Sequence, residues 1–511
     1  MSGNLYERVA ARLDGPDDVF MTVPRLDRSD QRTVTAHGLA ALTARMAHAL
    51  VASGVVPGDR VAVQVEKSPE AIALYLATIR AGAVFLPLNT AYTLAELDYF
   101  LGDARPRALV VGLSRAADVA PLAARHGVAA VLTLGTDRDG TLIEACATAN
   151  DRFATVPRRP DDLAAILYTS GTTGRSKGAM LTNANLVSNA EVLVGAWAFT
   201  ARDVLLHALP IFHTHGLFVA TNVMLLCGGS MLFLPKFDAD MVMAAMPRAT
   251  AMMGVPTFYV RLLKDERLTR SSTAHMRLFV SGSAPLLADT HRQWQERTGH
   301  AILERYGMTE TNMNTSNPYD GPRVPGTVGL PLQGVALRIT DPETGRPLEE
   351  GEIGMIEVKG PNVFKGYWQM PEKTAAEFRP DGFFITGDLG RIDANGYVQI
   401  VGRGKDLVIS GGFNVYPKEV ETEIDSLPGV VESAVIGLPH PDFGEAVTAV
   451  VVAANRSTLD EASVLKALDG RLARFKMPKR VLMVDDLPRN AMGKVQKNLL
   501  RETYNSLYQT A

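Results

Sequence analysis

"AAILYTSGTTGRSKGAM", residues 164–180, decides how this chain is read. It opens on an apolar run, Ala164–Tyr168, with the length and composition of a buried strand. Every residue from Ser170 to Gly178 is then small, hydroxylic or cationic. Glycines let backbone N–H groups come close to an anion, while hydroxyls and a lysine add donors and charge. Such a loop has the chemistry to hold a polyphosphate. The spacing is not that of a P-loop, where Lys directly follows Gly; here Lys177 stands three residues after Gly174. A flexible Ser/Thr/Gly connection is the other reading of the same residues.

The surroundings of the loop set the fold class. From about residue 35 to 320, short apolar runs such as "RVAVQV", "ALVVG", "DVLLHALP", "AMMGVP" and "MRLFVSG" alternate with helix-like segments such as "SPEAIALYLATIRAG" and "NANLVSNAEVLVGAW". That alternation predicts doubly wound α/β sheets, parallel and covered by helices on both faces. Ligands bind beyond the carboxyl ends of strands in this architecture, which is where the loop after Tyr168 falls. Between about 321 and 403, glycines, prolines and the Asn395-Gly396 pair predict a small antiparallel sheet or barrel-like part. After "GRGKD", residues 402–406, a compact α+β piece is expected, with Val420, Ile424 and Leu427 on one helical stripe behind Pro417. The division expected is a large domain over 1–404 and a small, mobile one over 405–511.

Composition narrows the class. With 511 residues the chain exceeds a single ordinary core. An apolar share of 46% and a charged share of 21% describe a globular protein, and a net charge of −3 gives no chain-wide field for nucleic acid or anionic membrane. "LFVATNVMLLCGGSMLFLP" is interrupted at Asn222, Gly228 and Gly229, so it reads as core rather than a membrane span. The start, "MSGNLYERVAARLDGPDD", has no apolar core of a secretory signal. Cys146 and Cys227 stand far apart, in no metal or redox spacing, and a reducing cytoplasm is the expectation. Oligomeric state is not readable from the sequence.

Five segments in order, "YTSGTTGRSKGAM", "RYGMTET", "ITGDLG", "GRGKD" and "PRNAMGK", resemble the acyl-adenylate-forming family of acyl-CoA synthetases, luciferases and peptide-synthetase adenylation domains. The resemblance spans nearly the whole chain. It implies a ligase in which a carboxylate attacks the α-phosphate of MgATP and a thiol then displaces AMP. By the same resemblance, ATP is bound by Thr169, Ser170, Gly171, Thr172, Thr173, Gly174 and Lys177, and on the adenine side by Gly282, Ser283 and Ala284. Glu304, Arg305, Tyr306, Gly307 and Thr309 complete that site, with Tyr306 against adenine and Thr309 at the phosphates. Asp388 is expected on the ribose, Arg403 between ribose and phosphate, and Glu310 on Mg²⁺. Lys494 matches the catalytic lysine, whose charge would stabilise the phosphoryl oxygens during attack. Lys405 matches the hinge about which the small domain turns, and Gly411, Gly412 and Phe413 are expected near CoA. Taken one at a time, each of these residues is equally readable as a turn, a backbone cap or a solvated charge. The nine Lys or Arg between 471 and 501, against two Asp, read either as a rim for the CoA phosphates or as a solvated face.

The acyl group is the last expectation. "LPIFHTHG", "VPTFYVRLL" and "YGMTETNMNTSNP" resemble the malonyl-CoA synthetase branch of the family. That match implies a malonate site shaped by His213, Thr214, Arg261, Ser283, Met308 and Met313. Arg261 would pair with the second carboxylate, since a buried carboxylate without a partner costs several kcal/mol. On its own residues, Arg261 also reads as an i,i+4 partner of Asp265. His213 and His215 lack further ligands at metal spacing. Ligation of another short or medium-chain acid, transfer to a carrier-protein thiol and nucleotide binding without catalysis are the alternatives.

Overall fold

The structure, a computed structural model, describes residues 3–15, 17–24, 31–169, 176–410, 413–455, 459–490 and 493–508. The expected apolar runs form two large sheets. In the first, six strands run in the order 130–133, 108–111, 60–64, 84–87, 163–169 and 177–182; all pair in parallel except the last, which returns antiparallel at the edge. The second has nine strands, whose centre is the parallel set 303–308, 278–281, 251–254, 204–207 and 230–233. Strand 19–23 extends that centre in parallel beside 230–233 and carries 32–35 antiparallel at the edge, while strands 312–316 and 330–331 add antiparallel at the other.

The helix Pro69–Arg80 lies between these sheets and shows why they pack. Ser68 accepts from the Ala71 N–H, Pro69 occupies the first turn and Glu70 faces the positive helix end. Every residue from Pro69 to Ile79 is buried, as a helix apolar on all faces requires. Tyr75 meets Phe85 of the first sheet edge-on at 5.1 Å and Phe218, beside the second, at 5.9 Å. Its hydroxyl donates to Asn222 Oδ1 at 3.2 Å, so Tyr75→Ala would cost about 3–5 kcal/mol in lost packing. The interrupted apolar stretch is a buried π-helical turn, His215–Thr221, running into the helix Asn222–Cys227. Among the described residues no helix is long and apolar enough to cross a membrane.

The antiparallel part consists of four strands, 336–340, 354–359, 384–392 and 398–403, in chain order. The Asn395-Gly396 signal falls in the turn between the last two, with Gly396 at φ +83°. A five-stranded sheet with the helix Pro417–Asp425 makes the smaller C-terminal domain. Val420 and Ile424 are fully buried there and Leu427 nearly so, the stripe expected from the sequence.

Candidate active site

The phosphate-loop motif begins at the end of a central strand, as expected. Thr169 and Lys177 are register partners on the antiparallel strands 163–169 and 177–182, so the hairpin brings both ends of the motif together. Ser170, Gly171, Thr172, Thr173 and Gly174 lie outside the described residues, as do Gly411 and Gly412.

The strands 204–207, 251–254, 278–281 and 303–308 end side by side, with Met253 paired to His207, Gly254 to Ser281 and Ser281 to Glu304. Their exits carry His213–His215, Pro256–Arg261, Gly282–Ala284 and Thr309–Glu310, which is how segments far apart in the chain come to lie together. Two devices hold these exits. Ser283 adopts φ +71°, a strained conformation for a residue with a side chain, and its Oγ sits 3.3 Å from His215 Nδ1. Lys67, which the sequence reading missed, donates to His207 Nδ1 at 2.9 Å and to the His207 carbonyl at 2.8 Å, while His207 Nε2 donates to the Gly216 carbonyl at 2.8 Å. A lysine just ahead of an apolar helical segment carries no local sign of such a role.

The residues expected at the nucleoside are held in pairs. Asp388 and Arg403 are cross-strand partners; Arg403 Nε lies 2.8 Å from Asp388 Oδ1, and the Tyr306 hydroxyl donates to Asp388 Oδ2 at 2.5 Å. The Asp388 N–H donates to Thr386 Oγ1 at 3.0 Å. Glu304 is buried, accepts from the Leu286 N–H at 3.1 Å, and burial pushes its carboxyl up to about 8.

The neighbouring Arg305 is the opposite. Arg305 is 3% exposed, and its Nε and Nη2 have no hydrogen-bond partner among the described residues. Burial pulls its guanidinium down to about 9. The same is true of Thr214 Oγ1 and His215 Nε2: both are buried and without a partner among the described residues. Burial, then the neighbouring Arg305 charge, lowers His213 to about 4 and His215 well below the usual imidazole range, so both are neutral. A Cβ at Gly282 would meet the Arg305 guanidinium carbon at 2.4 Å, so a side chain there would push the guanidinium aside. Met308 and Met313 flank the tight turn that follows, paired through Gly307↔Met313 and Met308↔Asn312. Arg261, by contrast, is exposed at the last turn of the helix Pro256–Leu263, 5.9 Å over the Phe237 ring. Its i,i+4 pairing with Asp265 is not formed; Asp265 pairs with Arg267 at 2.5 Å.

Glu310 is buried, burial pushes its carboxyl up, and the Tyr367 hydroxyl lies 3.0 Å from its Oε1. Lys494 stands in a turn held by Asn490, whose Oδ1 accepts the Lys494 N–H at 3.0 Å. The neighbouring Gly493 lies against Thr257 on the helix that carries Arg261. Lys494 reaches solvent, but the walls of its cleft and then the charge of Arg403 pull its ammonium down to about 8. Lys405 lies in the short turn Gly404–Asp406, and burial lowers its ammonium as well. Phe413 is exposed and stacks on Phe475 with centroids 4.8 Å apart. The basic stretch 471–501 is largely neutralised at home: Arg471 pairs with Glu423, Lys476 with Glu419, Arg480 with Glu461, Arg489 with Glu432, Lys497 with Glu421 and Arg501 with Asp406.

A family model for AMP-binding enzymes matches residues 9–368, and one for the AMP-binding enzyme C-terminal domain matches residues 419–494. The chain belongs to the AMP-binding enzymes. The crystal structure of ATP-bound MatB from Rhodopseudomonas palustris is similar to this AMP-binding enzyme over the whole of both chains (100% of each), with a TM-score of 0.97 and 64% identity. A malonate–CoA ligase of Arabidopsis thaliana is 36% identical over 482 residues, 88% of this chain and 79% of its own. A feruloyl-CoA synthase of Amycolatopsis sp. is 37% identical over 499 residues, 94% and 98% of the two chains. These two relatives, at 36% and 37% identity, do not by themselves separate a dicarboxylate from an aromatic acid; the MatB neighbour, at 64%, is much nearer than either.

Proposed function

We propose that this AMP-binding enzyme is an ATP-dependent malonate:CoA ligase that forms malonyl-CoA, AMP and pyrophosphate through a malonyl-adenylate. The observation that carries the malonate reading is Arg305, a buried guanidinium with two nitrogens lacking partners among the described residues. Burying an unpaired cation costs several kcal/mol, and an anionic substrate group would return that cost. Monocarboxylates activated at their only carboxylate have no second anion to offer. Malonate has one, and bidentate guanidinium geometry suits it. The reading moves Arg305 from the nucleotide, where the resemblance put it, to the acyl group. Thr214 Oγ1 and His215 Nε2 add neutral hydrogen-bonding groups, Arg261 adds a second cation at the rim, and Ser283 orients His215. Met308 and Met313 would limit what C2 can carry, with methylmalonate within reach. A feruloyl-like substrate would leave Arg305 uncompensated.

In the first half-reaction a malonate oxygen attacks the α-phosphorus and pyrophosphate leaves. Lys494 stabilises the negative charge that gathers on the phosphoryl oxygens, and no general base is needed because the nucleophile is already ionised. Tyr306, Asp388 and Arg403 hold the nucleoside, and Lys177, Thr309 and the loop from Thr169 hold the phosphates. Glu310 fits a magnesium ion: it is a hard oxygen donor, buried, with no cationic side chain at ion-pair distance among the described residues. A magnesium ion held there by one carboxylate would be completed by water and phosphate oxygens. The ion would neutralise phosphate charge. In the second half-reaction the CoA thiol attacks the acyl carbon, releasing AMP and the thiol proton, after the domain from residue 405 turns about Lys405 and withdraws Lys494. Phe413 would then lie near CoA. Both cysteines are free, with thiols pushed up by burial to about 11, and we assign the enzyme to the reducing cytoplasm.

Pyrophosphate release measured with malonate, methylmalonate, acetate, octanoate and ferulate tests the reading. Malonate is expected to exceed each monocarboxylate at least about a hundredfold in kcat/KM, the worth of a lost buried charge partner. Equal use of acetate or ferulate would refute the malonate assignment.

A further inference from the structure

Lys177 begins the strand that follows the phosphate motif, and it is already engaged. Its Nζ lies 3.3 Å from Glu377 Oε1 and 4.2 Å from the centroid of the Tyr367 ring. The other Glu377 oxygen accepts the Tyr367 hydroxyl at 2.6 Å, and Lys373, one helical turn earlier, reaches Oε1 at 2.7 Å. The backbone fixes this meeting. Ala179 bridges to Tyr367, the Met180 N–H donates to the Gly366 carbonyl at 2.9 Å, and the Trp368 N–H donates to the Gly178 carbonyl at 2.7 Å. The two charged side chains are only 13% and 20% exposed, so water screens the pair weakly.

Glu377 is a fixed negative charge beside a residue that, on the reading above, receives the phosphates of ATP. A triphosphate outcompetes one carboxylate for an ammonium, but the pair must part first, and the carboxylate then faces an incoming polyanion. We infer that Glu377 is the resting counter-ion of Lys177 and a positioning residue for ATP: it holds the ammonium over Tyr367 until the nucleotide draws it away, and so lowers ATP affinity. The inference rests on the assignment of Lys177 to ATP.

Titration calorimetry of ATP, without malonate or CoA, on wild type, Glu377→Gln, Glu377→Asp, Lys177→Ala and the Lys177→Ala/Glu377→Gln double variant tests it. Glutamine keeps an acceptor for Tyr367 but removes the charge. Glu377→Gln is expected to bind ATP about three- to tenfold more tightly, the usual worth of a partly shielded ion pair. Glu377→Asp should stay near wild type, and the gain should vanish when Lys177 is absent. Unchanged or weaker binding in Glu377→Gln, with Lys177→Ala weakening ATP tenfold, would overturn the counter-ion role and leave the Lys177 assignment intact. An equal gain in both backgrounds would overturn the pairing in favour of general repulsion. A Lys177→Ala enzyme with undiminished affinity would remove the assignment itself, and the inference with it.

Discussion

Asp388 and Arg305 are both buried charges, reached by groups on the same strand, and they are buried in opposite ways. Asp388 has Arg403 at 2.8 Å and the Tyr306 hydroxyl at 2.5 Å, while Arg305, the residue before Tyr306, has two nitrogens without partners among the described residues. The first charge is satisfied within the protein; the second is not, among the described residues. A satisfied site is rigid and gains modestly from whatever docks on it. An unsatisfied one carries a cost that only the right substrate removes, and it rejects a substrate lacking that group because the charge stays bare.

Substitution can break the contrast, beginning with the group that serves both ends. Lys494→Ala is expected to cut adenylate formation at least about a thousandfold, as the loss of a transition-state charge stabiliser does. Thioester formation from supplied malonyl-adenylate should survive, and equal loss of both would remove the lysine from the first step. At the acyl end, Arg305→Met should lower kcat/KM for malonate about a hundredfold. It should also raise the melting midpoint of the ligand-free enzyme by about 2–4 °C, since an unpaired buried charge gives way to an apolar chain. A fall in the midpoint with malonate use intact would erase the difference between the two ends.

Asp388→Asn tests the other end and should do the reverse. It leaves Arg403 without its carboxylate, so the midpoint should fall, and the KM for ATP should rise about tenfold while malonate discrimination stays. The smallest effect is in pH. Lys494 must be protonated to act, and its ammonium is held near 8 rather than in the ordinary lysine range. Adenylation should therefore be full below about pH 8 and fall as pH rises through it, by about tenfold per unit beyond. Lys494→Arg should move that limb upward; a limb that stays where it was belongs to another group.

Much of the framework is legible without coordinates. Parallel strands buried on both faces must be nearly continuous apolar runs, so "RVAVQV", "ALVVG" and "AMMGVP" could be read directly, and helix Pro69–Arg80 announces its start with Ser68 and Pro69. Strand Lys177–Thr182 was hidden because its first residues are those of the phosphate motif. The edge pair 19–23 and 32–35 and the π-helical turn His215–Thr221 were hidden too, since neither has a distinctive period. In the site, the ordered motifs marked which residues to watch. They gave no sign that Arg305 is buried without partners, and they left the basic stretch 471–501 open between a CoA rim and a solvated face, where the structure shows most of its charges paired with acidic neighbours.

Local pattern was enough for the strands and the loop chemistry, because each depends on residues adjacent in the chain, and the resemblance of five ordered motifs to a family implied the kind of reaction. Whether a charge is satisfied depends on groups far along the chain, 95 positions away for Arg501 and Asp406 and 140 for Lys67 and His207. Arg305, Lys67, Glu377 and the paired lysines and arginines of the C-terminal domain took their meaning from packing, since a Coulombic partner is defined by distance and shielding, and neither can be read along a sequence.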